Sequence, residues 1–386
     1  MNGDDKSKIK KVRILSLSLL LVIIIIVISL AITLISGNFT GSSQNSGLFS
    51  RRIPPVTVDE FNFDVGRNRM FASIPSHAAS AGTLGIQVLD MNGNETLRDS
   101  FRMSQPVITA SNNRFISYDI GGSSVRVFNS SRVISSFEAE GVIVSASVNN
   151  NGWFCVVSQT GGGNKGTVTV YNNNGAAVFS VDMRTGFALS AELSPDNKNL
   201  AVLNLTDDGS RVTFYVGIEI NDEPKHIFDL PDGLIIDIKY LSDGDLLAIS
   251  TDLLFIIDDS GTGRSLYPFP DKRLGSYSND DTFIALHLYD YGIGHRGRIV
   301  TLRSDGTVFG ELPTDREIIS MSVRNKSLIV LKNDGVVFYN DELEEFSSAK
   351  NNFSAAGSTR VLAVREDTAL ATNDSFAVIF TREEER

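Results

Sequence analysis

One motif recurs along most of this chain: a short apolar strand, a tight turn rich in Asn, Asp and Gly, and a second apolar strand. Clear copies are SASVNNNGWFCVVS at 145–158, AELSPDNKNLAVLN at 191–204 and SMSVRNKSLIVLK at 320–332. With the strand after the turn as a ruler, eight copies begin at residues 68, 113, 151, 198, 244, 281, 326 and 367. A period near 40 residues, carrying four short strands, is typical of a β-propeller blade.

A second hairpin follows the motif in each unit and accounts for the other two strands. In GTVTVYNNNGAAVFSVD at 166–182 the chain reverses at Asn-Asn-Gly, and VLDMNGNETL at 88–97 has the same form. Such turns need residues that tolerate positive φ, which explains the repeated Asn and Gly. We therefore predict an all-β fold, a propeller of eight four-stranded antiparallel blades, with seven blades as the alternative if the first or last unit packs irregularly.

The two ends of the repeat region predict how the ring closes. The eighth unit, 360–380, supplies only three strands, and RIPPVTV at 52–58 precedes the first unit. Because an unpaired sheet edge is unfavourable, we expect 52–58 to add the missing outer strand. In the strands before the turns, an apolar residue is followed by a small or polar one, as in Leu189 and Ser190 or Ile236 and Asp237. Small residues are expected there because the innermost strands of a propeller lie close together around the axis.

The motifs SPDNK and LSDGD between apolar strands, followed by V-x-V-Y-N-x-N-G, resemble bacterial WD-repeat-like and quinoprotein-like propellers. A basic N-terminus with one apolar span before such a ring also resembles an uncharacterised family of membrane-anchored propellers of clostridial bacteria. The Trp-Asp dipeptide of WD repeats is absent, and Trp153 is the only tryptophan. The tryptophan docking motifs of quinone-binding repeats are therefore missing, and we expect no cofactor.

The first 50 residues predict a single membrane anchor. Residues 14–35 are apolar apart from three serines and one threonine, long enough as a helix to cross a bilayer, and we assign 14–36 to a transmembrane helix. The span is longer than the apolar region of a cleaved signal peptide. Residues 1–13 carry a net +3, and 37–50 form an uncharged Gly/Ser linker. The positive-inside rule therefore places 1–13 in the cytoplasm and 51–386 on the extracytoplasmic side, so we expect a single-pass protein of the cell membrane.

Charge and cysteine content exclude several classes of function. The total of −11 and the +3 of residues 1–13 leave −14 on residues 51–386, which disfavours nucleic acid as a partner. The single cysteine, Cys155, has apolar neighbours, so we expect a buried, unreactive thiol. The four histidines show no metal-site spacing, and no nucleophile motif occurs, so we assign no catalytic or metal residues.

One segment has the composition of a recognition loop. In LHLYDYGIGHRGRIV at 286–300, the connection between the second and third strands of the sixth unit gathers Tyr289, Tyr291, His295 and Arg296. Aromatic and arginine side chains are favoured at binding surfaces, although an ordinary solvated loop is the alternative. We expect His77, in PSHAASAGT at 75–83, to lie in the corresponding loop of the first unit and hence on the same rim.

Three functions remain open at this point. The first is a binding or scaffold module for a protein or wall polymer of the cell envelope. The second is an extracytoplasmic enzyme, a glycan or peptide hydrolase, with carboxylates such as Asp237 converging in the propeller channel. The third is a sensor, which would need another membrane protein because only about 13 residues are predicted to lie in the cytoplasm.

Overall fold

The computed structural model describes residues 56–161, 163–220, 222–258, 260–292, 295–350, 357–373 and 376–382. In this part of the chain the regular structure consists of 32 β-strands, the first of which is β1, Val56–Phe61. Blades 1 to 4 comprise β2 Met70–Ile74, β3 His77–Gly82, β4 Gly85–Asp90, β5 Glu95–Ser100; β6 Pro106–Ser111, β7 Arg114–Asp119, β8 Ser124–Phe128, β9 Val133–Glu138; β10 Val142–Val148, β11 Phe154–Gln159, β12 Thr167–Tyr171, β13 Ala177–Asp182; and β14 Phe187–Leu193, β15 Asn199–Thr206, β16 Gly209–Val216, β17 His226–Pro231. Blades 5 to 8 comprise β18 Ile235–Tyr240, β19 Leu246–Ser250, β20 Leu253–Ile257, β21 Gly263–Pro268; β22 Lys272–Asn279, β23 Ile284–Asp290, β24 Gly297–Leu302, β25 Val308–Thr314; β26 Ile318–Arg324, β27 Ser327–Lys332, β28 Gly335–Asn340, β29 Glu345–Lys350; and β30 Arg360–Arg365, β31 Thr368–Thr372, β32 Ala377–Arg382 with β1.

The strands form eight four-stranded antiparallel sheets, which confirms the eight-bladed prediction. In blades 1 to 7 the strands pair in chain order, whereas the eighth sheet has the order β1, β32, β31, β30. Inner strands of successive blades contact each other, and β30 of blade 8 contacts β2 of blade 1, so the ring is closed.

The closing strand lies where the sequence predicted it. Val56 pairs with Arg382, Val58 with Phe380 and Phe61 with Ala377. The side chains of Val56 and Val58 pack on the apolar core between blades 7 and 8. The two ends of the repeat region are thereby joined in one sheet, and an open edge on β32 is avoided.

The recurring motif marks the turn between the first and second strands of a blade. In blade 4 the Asn197 amide donates to the Ser194 carbonyl at 3.0 Å, and Asn197 has φ of +64°. Asn112 and Asn325 occupy equivalent turns with φ of +49° and +52°. Asparagine tolerates this left-handed conformation better than most residues, which explains its repetition.

The inner strands of several blades contain a β-bulge followed by a residue that reaches the next blade. The bulge of β10 lies between Ile143 and Ser145, and the Ser145 hydroxyl donates to the Leu189 carbonyl of blade 4 at 2.8 Å. Two residues further on, the Ser147 hydroxyl donates to the Ala191 carbonyl at 2.6 Å. Small polar residues are thus present at the axis for hydrogen bonding between blades as well as for packing.

The hydrophobic core lies between the faces of adjacent blades. Between blades 4 and 5, for example, Leu203 and Phe214 pack with Ile238 and Phe255, and all four are buried. Each such side chain contributes about 1.5–3 kcal/mol when it is fully removed from water. Cys155 is buried in the core between blades 3 and 4, which confirms the expected burial, and burial raises the pKa of its thiol to about 12.

The first unit differs from the sequence-based assignment. NRMFASI was aligned with the second strands of the other units, but Met70–Ile74 is an inner strand, and the second strand is β3, which begins at His77. Asn68 has φ of +52° and so resembles the asparagine of a first–second turn. The true turn of this blade is Pro75–Ser76, where Ser76 has φ of +69°.

The predicted cytoplasmic tail 1–13, transmembrane helix 14–36 and linker 37–50 lie outside the described residues. Within the described residues, no helix has both the length and the apolar character that a membrane span requires.

Candidate functional site

The strand order of the blades gives the ring two different faces. Because strands within a blade are antiparallel, the first–second and third–fourth turns lie on one face, which we call the turn face; it includes 194–198 and 241–245. The second–third connections and the links between blades lie on the opposite face, the loop face, which includes 207–208 and the start of each inner strand.

Exposed large hydrophobic side chains concentrate on the loop face. Twelve such side chains are exposed among the described residues, and four of them belong to the turn face: Ile220 in a third–fourth connection, and Val178, Ile227 and Val308 where fourth strands begin. The other eight belong to the loop face: Leu84, Ile120, Val142, Phe187, Leu205, Leu234, Ile236 and Tyr291.

Six of these residues form what we call the apolar arc, along blades 2 to 5. Hydrogen bonds connect the second–third connections of blades 2 and 3, and the start of β16 in blade 4, to the inner strand of the following blade. Gly121 donates to the Ile143 carbonyl at 3.0 Å, Ala188 donates to the Lys165 carbonyl at 3.1 Å, and Ile235 donates to the Ser210 hydroxyl at 2.9 Å. The arc therefore follows the ring across adjacent blades, and its members are Ile120, Val142, Phe187, Leu205, Leu234 and Ile236.

A cleft of about 670 Å³ interrupts the apolar arc at blade 4. Phe187 and Leu205 line it beside charged groups of both signs, including Asp208. The Lys165 ammonium lies 4.4 Å from the centre of the Phe187 ring, and Arg211 forms a salt bridge with Asp229 at 2.7 Å. Apolar surface with a charged rim is the usual composition of a protein-binding surface.

The predicted recognition loop lies on the loop face, but its four residues are not equivalent. Tyr291 is 71% exposed, and His295 and Arg296 are exposed beside it. The Asp290 amide donates to the Arg296 carbonyl at 2.9 Å and closes the loop. Tyr289 belongs instead to β23, where it is partly buried, so the structure groups three of the four residues at the rim.

Tyr289 packs against a histidine that is fully buried. The rings of Tyr289 and His287 are 4.2 Å apart, and the Arg273 guanidinium lies 5.1 Å from the Tyr289 ring. Neither ring nitrogen of His287 has a hydrogen-bond partner among the described residues. Desolvation lowers the pKa of His287 to about 4, so the ring is neutral at pH 7.

On the turn face, charged residues replace serines of the inner strands. The position of Ser147 in blade 3 is occupied by Glu192 in blade 4 and by Lys239 in blade 5, and Glu192 Oε2 lies 3.4 Å from Lys239 Nζ. Burial raises the pKa of the Glu192 carboxyl although Lys239 opposes it, and the Glu192 charge raises the pKa of Lys239. The pair links blades 4 and 5 at a channel mouth cavity of about 470 Å³.

Asp237 links the next two blades in the same way. It follows the bulge of β18, the position of Ser145 in blade 3, and accepts a hydrogen bond of 2.7 Å from the Tyr277 hydroxyl of blade 6. Burial raises the pKa of Asp237, with Tyr277 and Lys239 opposing, and burial beside Asp237 raises the pKa of Tyr277. Two carboxyls with raised pKa values thus lie on inner strands, each already paired across blades.

These pairs explain what sequence reasoning identified and what it missed. Asp237 was named as a candidate, but Glu192, Lys239 and Tyr277 were not. Their signal is a charged or aromatic residue on inner strands where other blades have small residues. Within the described residues, no group of three or more His, Cys, Asp or Glu side chains is arranged to hold a metal ion.

The expectation that His77 shares a rim with the predicted recognition loop is wrong. His77 begins β3 directly after the Pro75–Ser76 turn and therefore lies on the turn face, opposite Tyr291. The error arose because the inner strand of the first unit was aligned with the second strands of the other units. A shift by one strand assigns each connection of that blade to the opposite face.

The fold and repeat define the chain as a β-propeller, and comparisons with solved structures agree. The C-terminal WD40 domain of Sif2 superposes with a TM-score of 0.61 at 12% identity, over 85% of this chain and 99% of that one. Sqt1 from Saccharomyces cerevisiae gives 0.58 at 13% identity over 83% and 100%. BamB from Moraxella catarrhalis gives 0.54 at 15% identity over 84% and 98%.

The particular family follows from the sequence. Residues 61–368 match the model of a family of unknown function, DUF5711, and the chain belongs to that family. A comparison with curated protein sequences finds no relative. The propeller predicted from WD-repeat-like and quinoprotein-like resemblance is thereby confirmed.

Proposed function

We propose that this protein is a membrane-anchored, extracytoplasmic binding module whose loop face docks a partner protein of the cell envelope. The concentration of exposed hydrophobic residues on that face is the observation that carries the proposal. The anchoring and the extracytoplasmic side rest on the apolar run 14–35 and the basic residues before it. A wall polymer is the alternative partner.

The loop face fits a partner protein better than a wall polymer. Contiguous exposed apolar surface on a soluble domain is costly unless another surface covers it. Phe187 and Tyr291 are exposed aromatic residues of this face, and Arg296 and Lys165 supply cations beside them. Aromatic and arginine anchors dominate the energetics of protein interfaces.

Substitution of Phe187 tests the proposal. The full-length chain is crosslinked in native membranes, and one reproducible partner is identified and then quantified for Phe187→Glu, Phe187→Tyr and Ile220→Glu. Phe187 is 47% exposed on the loop face, whereas Ile220 is 92% exposed on the turn face. We expect Phe187→Glu to reduce recovery at least about tenfold, with the other two variants close to wild type.

Two results would contradict docking at the loop face. One is the absence of any reproducible partner, and the other is equal loss with Phe187→Glu and Ile220→Glu. Topology is tested separately by adding protease to intact spheroplasts. The propeller should be cleaved or released from outside, and complete protection of residues 51–386 would place them on the cytoplasmic side.

A hydrolase with its site in the channel is the second candidate. It is favoured by the raised pKa values of Glu192 and Asp237, since glycan hydrolysis uses two carboxyls in different protonation states. The pairing of each acid with Lys239 or Tyr277 supports a structural role instead. The test is hydrolysis of peptidoglycan fragments by the wild-type protein. Activity that is lost in Glu192→Gln and retained in Asp243→Asn would establish that the protein is a hydrolase.

A further inference from the structure

A second cavity opens on the turn face between blades 7 and 8 and reaches the Pro75–Ser76 turn of blade 1. Its volume is about 810 Å³. The Phe346 ring and Ser327 form part of its wall. Four basic residues line it, and we call it the basic cavity: Arg324, Lys326, Arg365 and Arg382.

The cations of the basic cavity form no close ion pair among the described residues, although the charge of Asp280 acts on Arg324. Within the described residues none of the four forms a salt bridge, whereas eight other basic side chains do: Arg98, Arg126, Lys198, Arg211, Lys239, Lys272, Arg298 and Arg316. Arg365 donates to the Ser76 hydroxyl at 2.7 Å, and the Arg382 guanidinium lies 5.1 Å from the Phe346 ring. Glu366 and Asp367 also line the cavity, so four basic and two acidic side chains are among its described lining residues.

Two polar groups at the cavity are buried without a partner. The Ser327 hydroxyl belongs to a residue only 1% exposed, and it has no hydrogen bond among the described residues. The Arg382 Nε is likewise buried and unbonded there. Both atoms are inaccessible from the cavity, so neither would contact an occupant, and the lining cations are the groups that would bind one. Burial also lowers the pKa of Arg324, which indicates a desolvated charge.

We propose that the basic cavity binds a phosphate group, carried either by a soluble metabolite or by a lipid headgroup. Guanidinium groups match phosphate oxygens through paired hydrogen bonds, and Lys326 adds a point charge. The cavity exceeds the size of phosphate alone, and Phe346 offers an apolar wall for the remainder of the ligand. The net −14 of residues 51–386 favours a ligand with one phosphate over a polyanion.

The position of the cavity relative to the chain is relevant to a lipid source. Val56, where the described chain begins, pairs with Arg382 at the edge of the cavity. The membrane anchoring proposed above would make lipid headgroups an available source of phosphate. Phosphate binding itself does not depend on the anchor or on docking at the loop face.

Calorimetric titration of the purified full-length chain tests the proposal with two soluble probes. Inorganic phosphate represents the soluble source, and glycerophosphoglycerol represents a lipid headgroup with a phosphodiester. Wild type should bind at least one of them, and the tighter probe identifies the source. The double variant Lys326→Gln/Arg365→Gln should lose at least about tenfold in affinity. Lys198→Gln, an exposed lysine of the same face, should bind as wild type does.

Ser327→Ala is a second control, because the Ser327 hydroxyl is buried beneath the cavity wall. Without phosphate, removal of an unbonded buried hydroxyl should leave the thermal midpoint unchanged or raise it. With the better probe added, this variant should bind and be stabilised as wild type is. Absence of binding to both probes, or equal affinities of wild type and the double variant, would overturn the proposal.

Discussion

The loop face and the turn face are made from the same eight blades, yet they expose different chemistry. Among the described residues the loop face carries eight exposed large hydrophobic side chains, whereas the turn face carries four, three of them on outer strands, beside a polar channel mouth and the basic cavity. The first–second turns are short and repeat asparagine or glycine at positive φ. Their conformation constrains composition, while the connections of the loop face vary in length and can accept apolar residues.

The blades also differ in how their inner strands are joined to each other. Serine hydroxyls and backbone groups join most inner strands, as between Ser322 and Ala363 at 2.9 Å. In blades 4 to 6 the links are Glu192 with Lys239 and Asp237 with Tyr277. Charged links are sensitive to pH and to loss of one partner, whereas neutral ones are not. The following predictions use that difference, from the largest expected effect to the smallest.

Acid should destabilise the protein through His287, under the loop face. The unfolded chain takes up a proton at this residue near pH 6.5, but the folded protein does so only near pH 4. Stability is therefore complete above about pH 6.5 and is lost as pH falls towards 4, by about 3 kcal/mol. Urea unfolding of wild type and His287→Leu between pH 7 and 4 measures this, and the variant should lose that part of the acid dependence.

His226→Gln is the matched control, because this histidine is partly exposed at the start of β17. It should retain the acid dependence of wild type. If His287→Leu and wild type lose equal stability between pH 6.5 and 4, the buried histidine does not carry a shifted proton affinity, and the acid response belongs to other groups.

Removal of one charge from the channel should have the next largest effect. Lys239→Met leaves Glu192, whose side chain is only 12% exposed, without its cation. Because Lys239 is itself 43% exposed and solvent screens the pair, we expect a loss of about 2 kcal/mol in the free energy of unfolding at pH 7 rather than the larger cost of a fully buried pair.

The loss in Lys239→Met should shrink in acid, since burial raises the pKa of Glu192 and a protonated carboxyl needs no cation. For the same reason, adding Glu192→Gln should restore part of the stability. Lys198→Met removes an exposed cation of the same face and should change little. Equal effects of Lys198→Met and Lys239→Met would show that the channel pair has no special role.

The sequence was sufficient for the ring but not for its interior contacts. Eight blades and closure by β1 follow from the repeat period and a missing strand, both of which are local patterns. The pairs Glu192 with Lys239 and Asp237 with Tyr277 join residues of different blades, so only the packing of those blades brings them together. The basic cavity likewise combines blades 1, 7 and 8.

Local resemblance also caused the errors in the assignment. Asn68 has the positive φ of a first–second turn, and that likeness displaced the first unit and put His77 on the wrong face. Tyr289 was read as a loop residue because the aromatic run Tyr289 to Tyr291 spans the end of β23. Strand ends are set by pairing with β22 and β24, which composition does not encode.

The smallest predicted effect compares one tyrosine on each side of the ring. Tyr277→Phe removes the 2.7 Å hydrogen bond to Asp237 and should cost about 1 kcal/mol, because a buried carboxyl loses its donor. Tyr291→Phe removes a hydroxyl from a side chain that is 71% exposed on the loop face and should change the unfolding free energy by less than about 0.5 kcal/mol. Parallel urea titrations measure both. If the two variants are equally stable, the Tyr277 link between blades 5 and 6 contributes nothing beyond packing, and the contrast between a structural channel and a solvated loop face would then rest on the Glu192–Lys239 pair alone.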